Sequence, residues 1–436
     1  MADSRRQYIA SMLTVGAVGI TGCGTEKAKN EKSPSSDNAL QQHATKLPIE
    51  LESVTRDFGE SVATSSDGTT TIISDSGQEY DTGIVYAFEQ SANDWTHQGD
   101  LIIKKGEQGD NLGESVSISD DGSTAIVGAP LIDGADEHPE ASGGAAYVFK
   151  RANNEWNQQV KLSNDNSDRD DLFGIPVAVS SNGSTVIIGA PAEDNTNGDS
   201  AGSSYVFQRS NRKWNQQVKL TASDGETEDR FGTSLAVSGN GSTVIVGAPG
   251  KNNPNKNISG TAYVFQRSDS NWIQKTKLTA EGDDDLRLYG NSVSLSEDGN
   301  TAIVGANPHG DSTENLAGIV YIFRQSNKRW EQQDKLTPES MNDGSLESIS
   351  ISNDASTAVI GAPNGTPEGG EGSVFLFERS DEEWILQTTL IPADSETEVV
   401  FGRSVTLSGD GATTIIGAPS GAPPEQGGRG SVFFYQ

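Results

Sequence analysis

The side chains able to do chemistry are few in this chain, and most stand apart from one another. The four histidines lack a cysteine, histidine or carboxylate partner at ligand spacing; they are His43, His97, His138 and His309. A zinc site draws three or four such ligands together, and none of the 49 glycines belongs to a nucleophile elbow, a phosphate-binding loop or a dinucleotide fingerprint. The sequence therefore predicts no catalytic, cofactor-binding or metal-ligating residue.

Carboxylates are the exception, since they form three clusters. The clusters are Asp165, Asp168, Asp170 and Asp171; Asp224, Glu226, Glu228 and Asp229; and Asp283, Asp284 and Asp285. Oxygen-rich loops of this kind suit calcium, whereas an acidic run is more often a solvated face. We predict solvated acidic loops without a cofactor, and calcium is the alternative that stays open.

The single cysteine indicates lipid attachment rather than a disulfide. Cys23 has no second cysteine to pair with, and it directly follows Ile-Thr-Gly at 20–22, which resembles a lipobox. Arg5 and Arg6 precede an apolar stretch over residues 9–20, as in a twin-arginine export signal. That stretch is shorter than the roughly 20 apolar residues that span a bilayer. We predict an exported protein, held on the extracellular face of the cell membrane only by a lipid on Cys23.

The chain is predicted to divide into three regions. Residues 1–22 form the signal peptide. Residues 23–45 are almost entirely polar, so they cannot offset the entropy of ordering and are expected to be a disordered tether. Residues 46–436 carry the periodic apolar runs of a folded domain, which we expect to be monomeric.

The net charge of −31 limits the partners of this protein. Repulsion between like charges argues against nucleic acid and bare anionic lipid headgroups as ligands. Carboxylates spread along the whole chain also indicate a surface adapted to concentrated salt, which screens charge repulsion beyond about 3 Å at 1 M. We therefore predict a halophilic source and no nucleic-acid partner.

The elements that must position these groups repeat along the chain. An apolar residue followed by glycine recurs at Phe58-Gly59, Leu112-Gly113, Phe173-Gly174, Phe231-Gly232, Tyr289-Gly290 and Phe401-Gly402. Gly-Ala-Pro recurs at 128–130, 189–191, 247–249, 361–363 and 417–419, with Gly-Ala-Asn at 305–307, and the six tryptophans occupy one equivalent position. Seven copies begin near residues 58, 112, 173, 231, 289, 345 and 401. Their spacing suits a four-stranded propeller blade.

The fourth copy illustrates how one repeat predicts four strands. We expect strands over 234–238, 243–247, 261–265 and 272–278. Asn240-Gly241 suits a type I′ turn, in which both residues have positive φ, and Pro249 should end the second strand because it cannot donate to the ladder. Alternation along the fourth strand predicts a half-exposed outer edge, where Trp272 should be a principal wedge between neighbouring sheets.

The two ends of the repeat region predict how the array closes. The seventh copy ends at its third strand, over residues 431–436, without a tryptophan strand. Residues 46–51 stand where other copies carry their fourth strand, so we predict that they pair with 431–436. This pairing would close the ring and leave no open sheet edge.

The order of these motifs resembles the FG-GAP repeat family, whose repeats build the seven-bladed head of integrin α-subunits and many microbial surface proteins. The resemblance covers residues 58–436 and implies an all-β, seven-bladed β-propeller of four-stranded antiparallel blades. Two copies depart from the pattern: Ser345-Leu346 replaces Phe-Gly in the sixth, whose contact with its neighbour should differ, and Ile73-Ser74-Asp75 replaces Gly-Ala-Pro in the first. The sequence also lacks the spacing of the calcium loop that integrin-type repeats carry.

The resemblance implies a non-catalytic binding or adhesion module at the cell surface, whose loops recognise a protein or glycan. The longest loops, 131–143, 192–201 and 250–258, belong to adjacent copies and should lie on one face. Two alternatives stay open: an extracellular polysaccharide-degrading enzyme on a propeller scaffold, and an envelope assembly scaffold. An enzyme would need a charged constellation in the central channel, and the sequence predicts none.

Overall fold

The structure consists of β-strands. The computed structural model describes residues 40–48, 51, 54–77, 83–91, 94–103, 111–130, 143–164, 171–252, 259–269, 271–281, 286–308, 318–338, 345–363, 372–381, 383–392, 400–420 and 428–436. Every helix or strand assigned in these ranges is a β-strand, which confirms the all-β prediction. The predicted signal peptide with Arg5, Arg6 and Cys23 lies outside the described residues, as do His138, His309 and the acidic residues at 165–170 and 283–285.

The strands follow one another with short connections and a recurring length. In chain order they are β1 (Leu40–Lys46), β2 (Phe58–Thr64), β3 (Thr70–Asp75), β4 (Ile84–Ser91), β5 (Asp94–Leu101), β6 (Val116–Ile118), β7 (Thr124–Ala129), β8 (Ala145–Ala152), β9 (Glu155–Leu162), β10 (Val177–Val179), β11 (Thr185–Ala190), β12 (Ser203–Ser210), β13 (Lys213–Leu220), β14 (Ser234–Val237), β15 (Thr243–Asn252), β16 (Ser259–Ser268), β17 (Asn271–Leu278), β18 (Leu286–Arg287), β19 (Val293–Leu295), β20 (Thr301–Pro308), β21 (Ile319–Ser326), β22 (Arg329–Leu336), β23 (Ser348–Ile351), β24 (Thr357–Ala362), β25 (Ser373–Ser380), β26 (Glu383–Pro392), β27 (Ser404–Leu407), β28 (Thr414–Ala418) and β29 (Ser431–Tyr435).

Four consecutive strands form each antiparallel sheet, as the sequence predicts. The first four sheets are β2–β5, β6–β9, β10–β13 and β14–β17. The fifth contains β19–β22 and, in addition, the short β18, which pairs with β20 as β19 does. The last two groups share an eight-stranded sheet in the order β23-β24-β25-β26-β1-β29-β28-β27. Within each group the first strand follows the apolar-glycine motif, and the fourth strand, where the copy has one, carries the tryptophan.

The direction of the strands separates two faces. The first strand runs from the apolar-glycine pair to the Asx-Gly turn, and the second returns to Gly-Ala-Pro. The connections from second to third strand and from fourth to the next first strand therefore lie on one face, which we call the loop face. The Asx-Gly turns and the tight turns between third and fourth strands lie on the opposite face, the turn face.

Glycine allows neighbouring sheets to approach closely at the two motifs. A Cβ atom on Gly128 would lie 1.9 Å from the carbonyl oxygen of Gly174 in the next sheet, a distance that no side chain tolerates. The same contact joins the last sheet to the first, where a Cβ on Gly417 would lie 2.0 Å from the oxygen of Gly59. Where both motifs are present, neighbouring sheets thus meet through backbone atoms, which explains why Gly-Ala-Pro requires its glycine.

The aromatic residue of the first motif is a fully buried wedge between sheets, and the tryptophan packs against the same core. Phe173 and Phe231 are fully buried, and their ring centroids lie 5.3 Å from Tyr205 and 5.6 Å from Tyr263 in edge-to-face geometry. Trp272, by contrast, is only partly buried against the same core. Tryptophan therefore takes part in the packing between sheets, while the aromatic residue of the first motif lies deeper in the same core.

The Asx-Gly turns differ from the predicted type I′ geometry. Gly241 has a φ of 67°, whereas Asn240 keeps a negative φ. The amide oxygen of Asn240 accepts hydrogen bonds from the N–H of Ser242 at 2.8 Å and from the hydroxyl of Ser238 at 3.0 Å. This Asx turn holds the asparagine in the right-handed region, so only the glycine needs to be left-handed.

Pro249 does not end the second strand of the fourth copy, contrary to the prediction. β15 continues to Asn252, although its pairing with β16 is interrupted between Ala248 and Asn252. The interruption follows from the missing N–H of proline. Beyond it, the N–H of Gly250 donates to the carbonyl oxygen of Asp229 at 3.1 Å, in the loop before the first strand.

β1 corrects both the end of the predicted tether and the position of the predicted closing strand. The sequence predicts pairing over 46–51, but the strand begins at Leu40, inside the predicted tether. It pairs in parallel with β26 and antiparallel with β29, where Lys46 faces Phe433. Lys46-Leu47 is equivalent to the Lys-Leu pair that ends β9, β13, β17 and β22. The residues before this pair, rather than those after it, therefore form the strand.

A chain of backbone hydrogen bonds connects the sheets on the turn face. Each link joins the residue after one first strand to its equivalent in another sheet: Ser66 N–H to Asp120 O at 3.0 Å, Asp120 to Ser181 at 3.1 Å, Gly239 to Glu297 at 2.8 Å, Glu297 to Asn353 at 3.0 Å, Asn353 to Gly409 at 2.9 Å, and Gly409 to Ser66 at 2.7 Å. The last link joins the group of β27–β29 to that of β2–β5. The first strands are therefore the innermost layer of the molecule.

Replacement of Tyr289 by phenylalanine should stabilise the protein. Tyr289 occupies the aromatic position of the fifth copy, and its buried hydroxyl has no hydrogen-bond partner among the described residues. Phenylalanine fills the equivalent position in the third, fourth and seventh copies. Because an unsatisfied buried hydroxyl is costly, we expect Tyr289→Phe to raise the free energy of unfolding by about 1 kcal/mol, measured in urea. Phe231→Tyr is the matched control and should lower it; a less stable Tyr289→Phe protein would contradict the argument.

Candidate functional site

The residue after each apolar-glycine pair lies at the inner edge of the loop face. These seven equivalent residues are Glu60, Glu114, Ile175, Thr233, Asn291, Glu347 and Arg403. Each lies at or within two residues of the start of a first strand. Each first strand packs beside the first strands of the neighbouring sheets, with β27 beside β2. The sheets therefore bring four charged side chains, Glu60, Glu114, Glu347 and Arg403, to one place. We call these four residues the mouth cluster.

Arg403 links three sheets within the mouth cluster. Its Nε lies 3.0 Å from Oε1 of Glu60 in the first sheet, and its Nη1 contacts a carboxylate oxygen of Glu347 in the sixth group. All three side chains are less than one-fifth exposed. Burial alone would lower the pKa of Arg403, but the charges of Glu60 and Glu347 and their hydrogen bonds raise it above its usual value. The guanidinium is therefore permanently charged, and the carboxylates of Glu60 and Glu347 hold it in position from two sides.

Glu114 is the carboxyl group of the cluster that titrates near neutrality. Burial and the negative charge of Glu60 raise its pKa to about 7, against the opposing charge of Arg403. Burial likewise raises the pKa of nearby Asp57 to about 6, where Arg56 lowers it and Glu60 raises it. The mouth cluster thus holds three glutamates against one arginine, and one of the glutamates changes charge in the physiological range.

Hydroxyl groups complete the polar character of the inner strands. The Ser115 hydroxyl accepts the N–H of Val177 in the next sheet at 3.0 Å, and Ser348 accepts that of Val405 at 3.1 Å. On the turn face, the side-chain amide of Asn353 donates to Ser66 and to Asp120, each at 3.1 Å. The inner strands therefore carry a charged end at the loop face and a hydrogen-bonded end at the turn face.

The mouth cluster corrects the prediction that the centre carries no charged constellation. The four residues are spread over 344 positions of the chain and form no motif with their immediate neighbours. Only the repeat register brings them together, because each occupies the position after the apolar-glycine pair. Reading that position across all seven copies would have found the cluster.

The acidic loop 224–229 is exposed at Asp224, Glu226 and Glu228, as predicted for a solvated face, and departs from the prediction at Asp229. Asp229 is buried, and its carboxylate lies 3.0 Å from Nζ of Lys251. Asp224 contacts the ammonium group of Lys277. Asp171, the described member of the first cluster, is buried as well. Three carboxylates of this loop, those of Asp224, Glu226 and Asp229, pair with lysines of neighbouring strands.

The described histidines and carboxylates do not assemble a metal centre. His97 pairs with Asp100 at 2.7 Å along β5, a partner that its sequence spacing did not predict, and His43 lies exposed in β1. In the described part of the chain, no group of three or more histidine, cysteine or carboxylate side chains could hold a metal ion. In that same part, no helix is long and apolar enough to cross a membrane.

The repeat pattern matches a known family. Five stretches match the model of the FG-GAP repeat, at residues 95–149, 156–207, 214–265, 272–323 and 384–435. The chain belongs to the FG-GAP repeat family. Each match runs from a tryptophan strand to the third strand of the next sheet, so the family unit spans two neighbouring sheets of the β-propeller. The unmatched copies are the first and the sixth, in which the motifs depart from the pattern.

One solved structure shares the fold at low sequence identity. The chain is similar to hydrazine synthase from Kuenenia stuttgartiensis, with 12% identity, a TM-score of 0.54, and coverage of 92% of this chain and 98% of that one. A second similar structure is Sqt1 from Saccharomyces cerevisiae, with 12% identity, a TM-score of 0.47, and coverage of 87% and 81%. No curated protein matches the chain. At this identity, the likeness to hydrazine synthase concerns the fold alone.

The sixth FG-GAP copy compensates for its missing Phe-Gly pair. Leu346 replaces the glycine, and the side chain of Asn307, which replaces the proline of the fifth Gly-Ala-Pro, accepts its N–H at 2.8 Å and donates to its carbonyl at 3.2 Å. The two departures are therefore coupled across one interface. This confirms the expectation that the contact of the sixth copy with its neighbour differs.

Replacement of Glu114 by glutamine should stabilise the protein, increasingly so as pH rises. The pKa of Glu114 is raised to about 7 in the folded state, so the wild type loses stability as pH rises from the unfolded value of about 4.3 through 7. Glu114→Gln removes this loss, and its advantage should grow by about 2–3 kcal/mol between pH 5 and pH 8, measured by urea unfolding.

Glu60→Gln is the control, since it removes a partner of the buried Arg403 and should destabilise the protein at both pH values. An advantage of Glu114→Gln that is independent of pH would mean that Glu114 is ionised throughout this range.

Proposed function

We propose that the chain is a seven-bladed propeller closed by β1. The backbone hydrogen bond from Gly409 to Ser66 supports closure, as do the contact of Gly417 with Gly59 and the pairing of Lys46 with Phe433. Seven copies with seven equivalent first strands support the blade number. In this arrangement the inner strands surround a central channel, with the mouth cluster at its loop-face end.

The proposed role is that of a non-catalytic binding module whose loop face recognises a protein or glycan. The FG-GAP propeller fold is a scaffold that presents loops on a rigid frame. One observation carries the proposal: the loops between the third and fourth blades are joined into a single platform. Glu228 N–H donates to Asp199 O at 2.9 Å, and Phe231 N–H to Ala201 O at 3.0 Å. A platform that is ordered without a partner loses little entropy on binding.

Charge reversal on the platform should abolish binding. Asp199 and Glu228 are exposed on the loop face, so we expect Asp199→Arg with Glu228→Arg to reduce capture of surface proteins or glycans from an array at least about tenfold. Glu155→Arg with Glu331→Arg is the matched control, because it reverses the same charge at the turn-face ends of β9 and β22. Equal loss with both variants, or with neither, would contradict recognition by the loop face.

A second candidate function is an enzyme that degrades polysaccharides, and the mouth cluster is the observation that favours it. A carboxyl group with a pKa near 7 beside other carboxylates can act as a general acid in catalysis. Hydrolysis of a polysaccharide by the wild type that Glu114→Gln abolishes would replace the binding proposal. Capture of envelope proteins without any glycan would instead favour an assembly scaffold.

We further propose that the protein is an exported, monomeric lipoprotein with a surface adapted to concentrated salt. Arg5, Arg6 and Cys23 support export and lipid attachment, and the net charge of −31 supports salt adaptation. Cys23→Ala should move the protein from the membrane fraction to the medium, because it removes the acylated thiol. A membrane fraction unchanged by Cys23→Ala would refute lipid anchoring, and Ser36→Ala in the same polar segment is the control.

A further inference from the structure

Lys251 occupies the centre of a ring of oxygen atoms on the loop face. Its Nζ lies 2.6 Å from the carbonyl oxygen of Asp224, 3.1 Å from Oε2 of Glu226 and 3.0 Å from Oδ2 of Asp229. The lysine side chain is 9% exposed and that of Asp229 is 2% exposed. Three ammonium hydrogens thus meet three oxygen acceptors; the lysine and Asp229 are shielded from solvent, whereas the Glu226 side chain is 69% exposed.

The loop folds around this ammonium group rather than around a core of its own. The N–H of Glu226 donates to Oδ2 of Asp229 at 2.8 Å, so that carboxylate closes the loop on itself while it binds Lys251. Carboxylates and a main-chain carbonyl converging from a short acidic segment are also the ligands that calcium takes. A positive charge at that centre is required, because two buried or closely spaced carboxylates would otherwise repel one another.

The propeller repeat does not itself require lysine here. Glu193 is the equivalent residue of the third copy, two positions after its Gly-Ala-Pro. It accepts the hydroxyl of Tyr205 and pairs with Lys219 at 2.7 Å. In the fourth copy, Asp224 takes over that role toward Tyr263 and Lys277. The lysine at 251 is therefore specific to the acidic loop that it fills.

We propose that Lys251 is a built-in cation, which holds this loop as a bound divalent ion would and makes its order independent of metal. The loop is thereby a latent calcium site, with the Asp224 carbonyl and the carboxylates of Glu226 and Asp229 as ligands. This inference concerns the loop itself and stands whether or not the loop face binds a partner.

The test is to remove the ammonium group and offer a metal ion instead. Lys251→Ala opens the space and removes the charge, so its melting temperature in EDTA should be lower than that of the wild type. Millimolar calcium should raise it by at least about 3 °C, and calorimetry should find one more bound calcium per chain than in the wild type. Lys251→Met should be destabilised but not rescued, because its side chain keeps the space filled.

Lys277→Ala is the matched control, since Lys277 also pairs with Asp224 but at a half-exposed site, and it should gain no calcium. Lys251→Ala protein that is as stable as the wild type in EDTA, or that calcium does not rescue, overturns the proposal. Where Lys251→Ala does not fold in EDTA, recovery on refolding in calcium supports the proposal, and failure to refold in calcium counts against it.

Discussion

The close approach of backbone to backbone between neighbouring sheets is the constraint on which the rest of the structure depends. The glycine of Gly-Ala-Pro in one sheet lies against the carbonyl of the apolar-glycine pair in the next, as with Gly247 and Gly290. This contact sets how near two sheets can come at the loop-face end of their inner strands. The buried aromatic ring of the same motif then fills the space that opens outward, so one short motif determines both spacing and angle.

The same constraint explains why charged residues meet at the centre. The contact between backbones places the residue after each apolar-glycine pair near the innermost strands. Its side chain therefore lies at the inner edge of the loop face. Small or polar residues are accommodated there without a cost in free energy, whereas a carboxylate loses its contacts with water. Arg403 pairs with Glu60 and Glu347 and offsets part of that cost, but burial still raises the pKa of Glu347 and that of Glu114. A buried charge retained at such a cost is more often a sign of function than of stability.

Much of the fold could be predicted from the sequence because the same pattern occurs in seven copies. The four strands of each copy, the half-exposed outer strand and the unusual sixth interface all follow from local periodicity and motif spacing. The errors were of another kind. The sequence did not separate Phe231 from Trp272, because both are large and periodic and only their depth in the core differs. The closing strand was displaced because Lys46-Leu47, the pair that fixes its register, was taken as its start rather than its end.

The surroundings of the charged side chains were the property least predictable from the sequence, since they depend on which loops come into contact. The segment 224–229 has the composition of a solvated acidic run, and nothing within it indicates that Lys251 will enter its centre. That lysine lies more than twenty residues away, just past Pro249, where the strand was expected to stop. The strand continues because the missing proline N–H costs only one interruption of the ladder, and its continuation is what brings the ammonium group to the carboxylates. The wrong prediction for the end of β15 therefore also explains why the pairing of Lys251 with the carboxylates of the loop was not predicted.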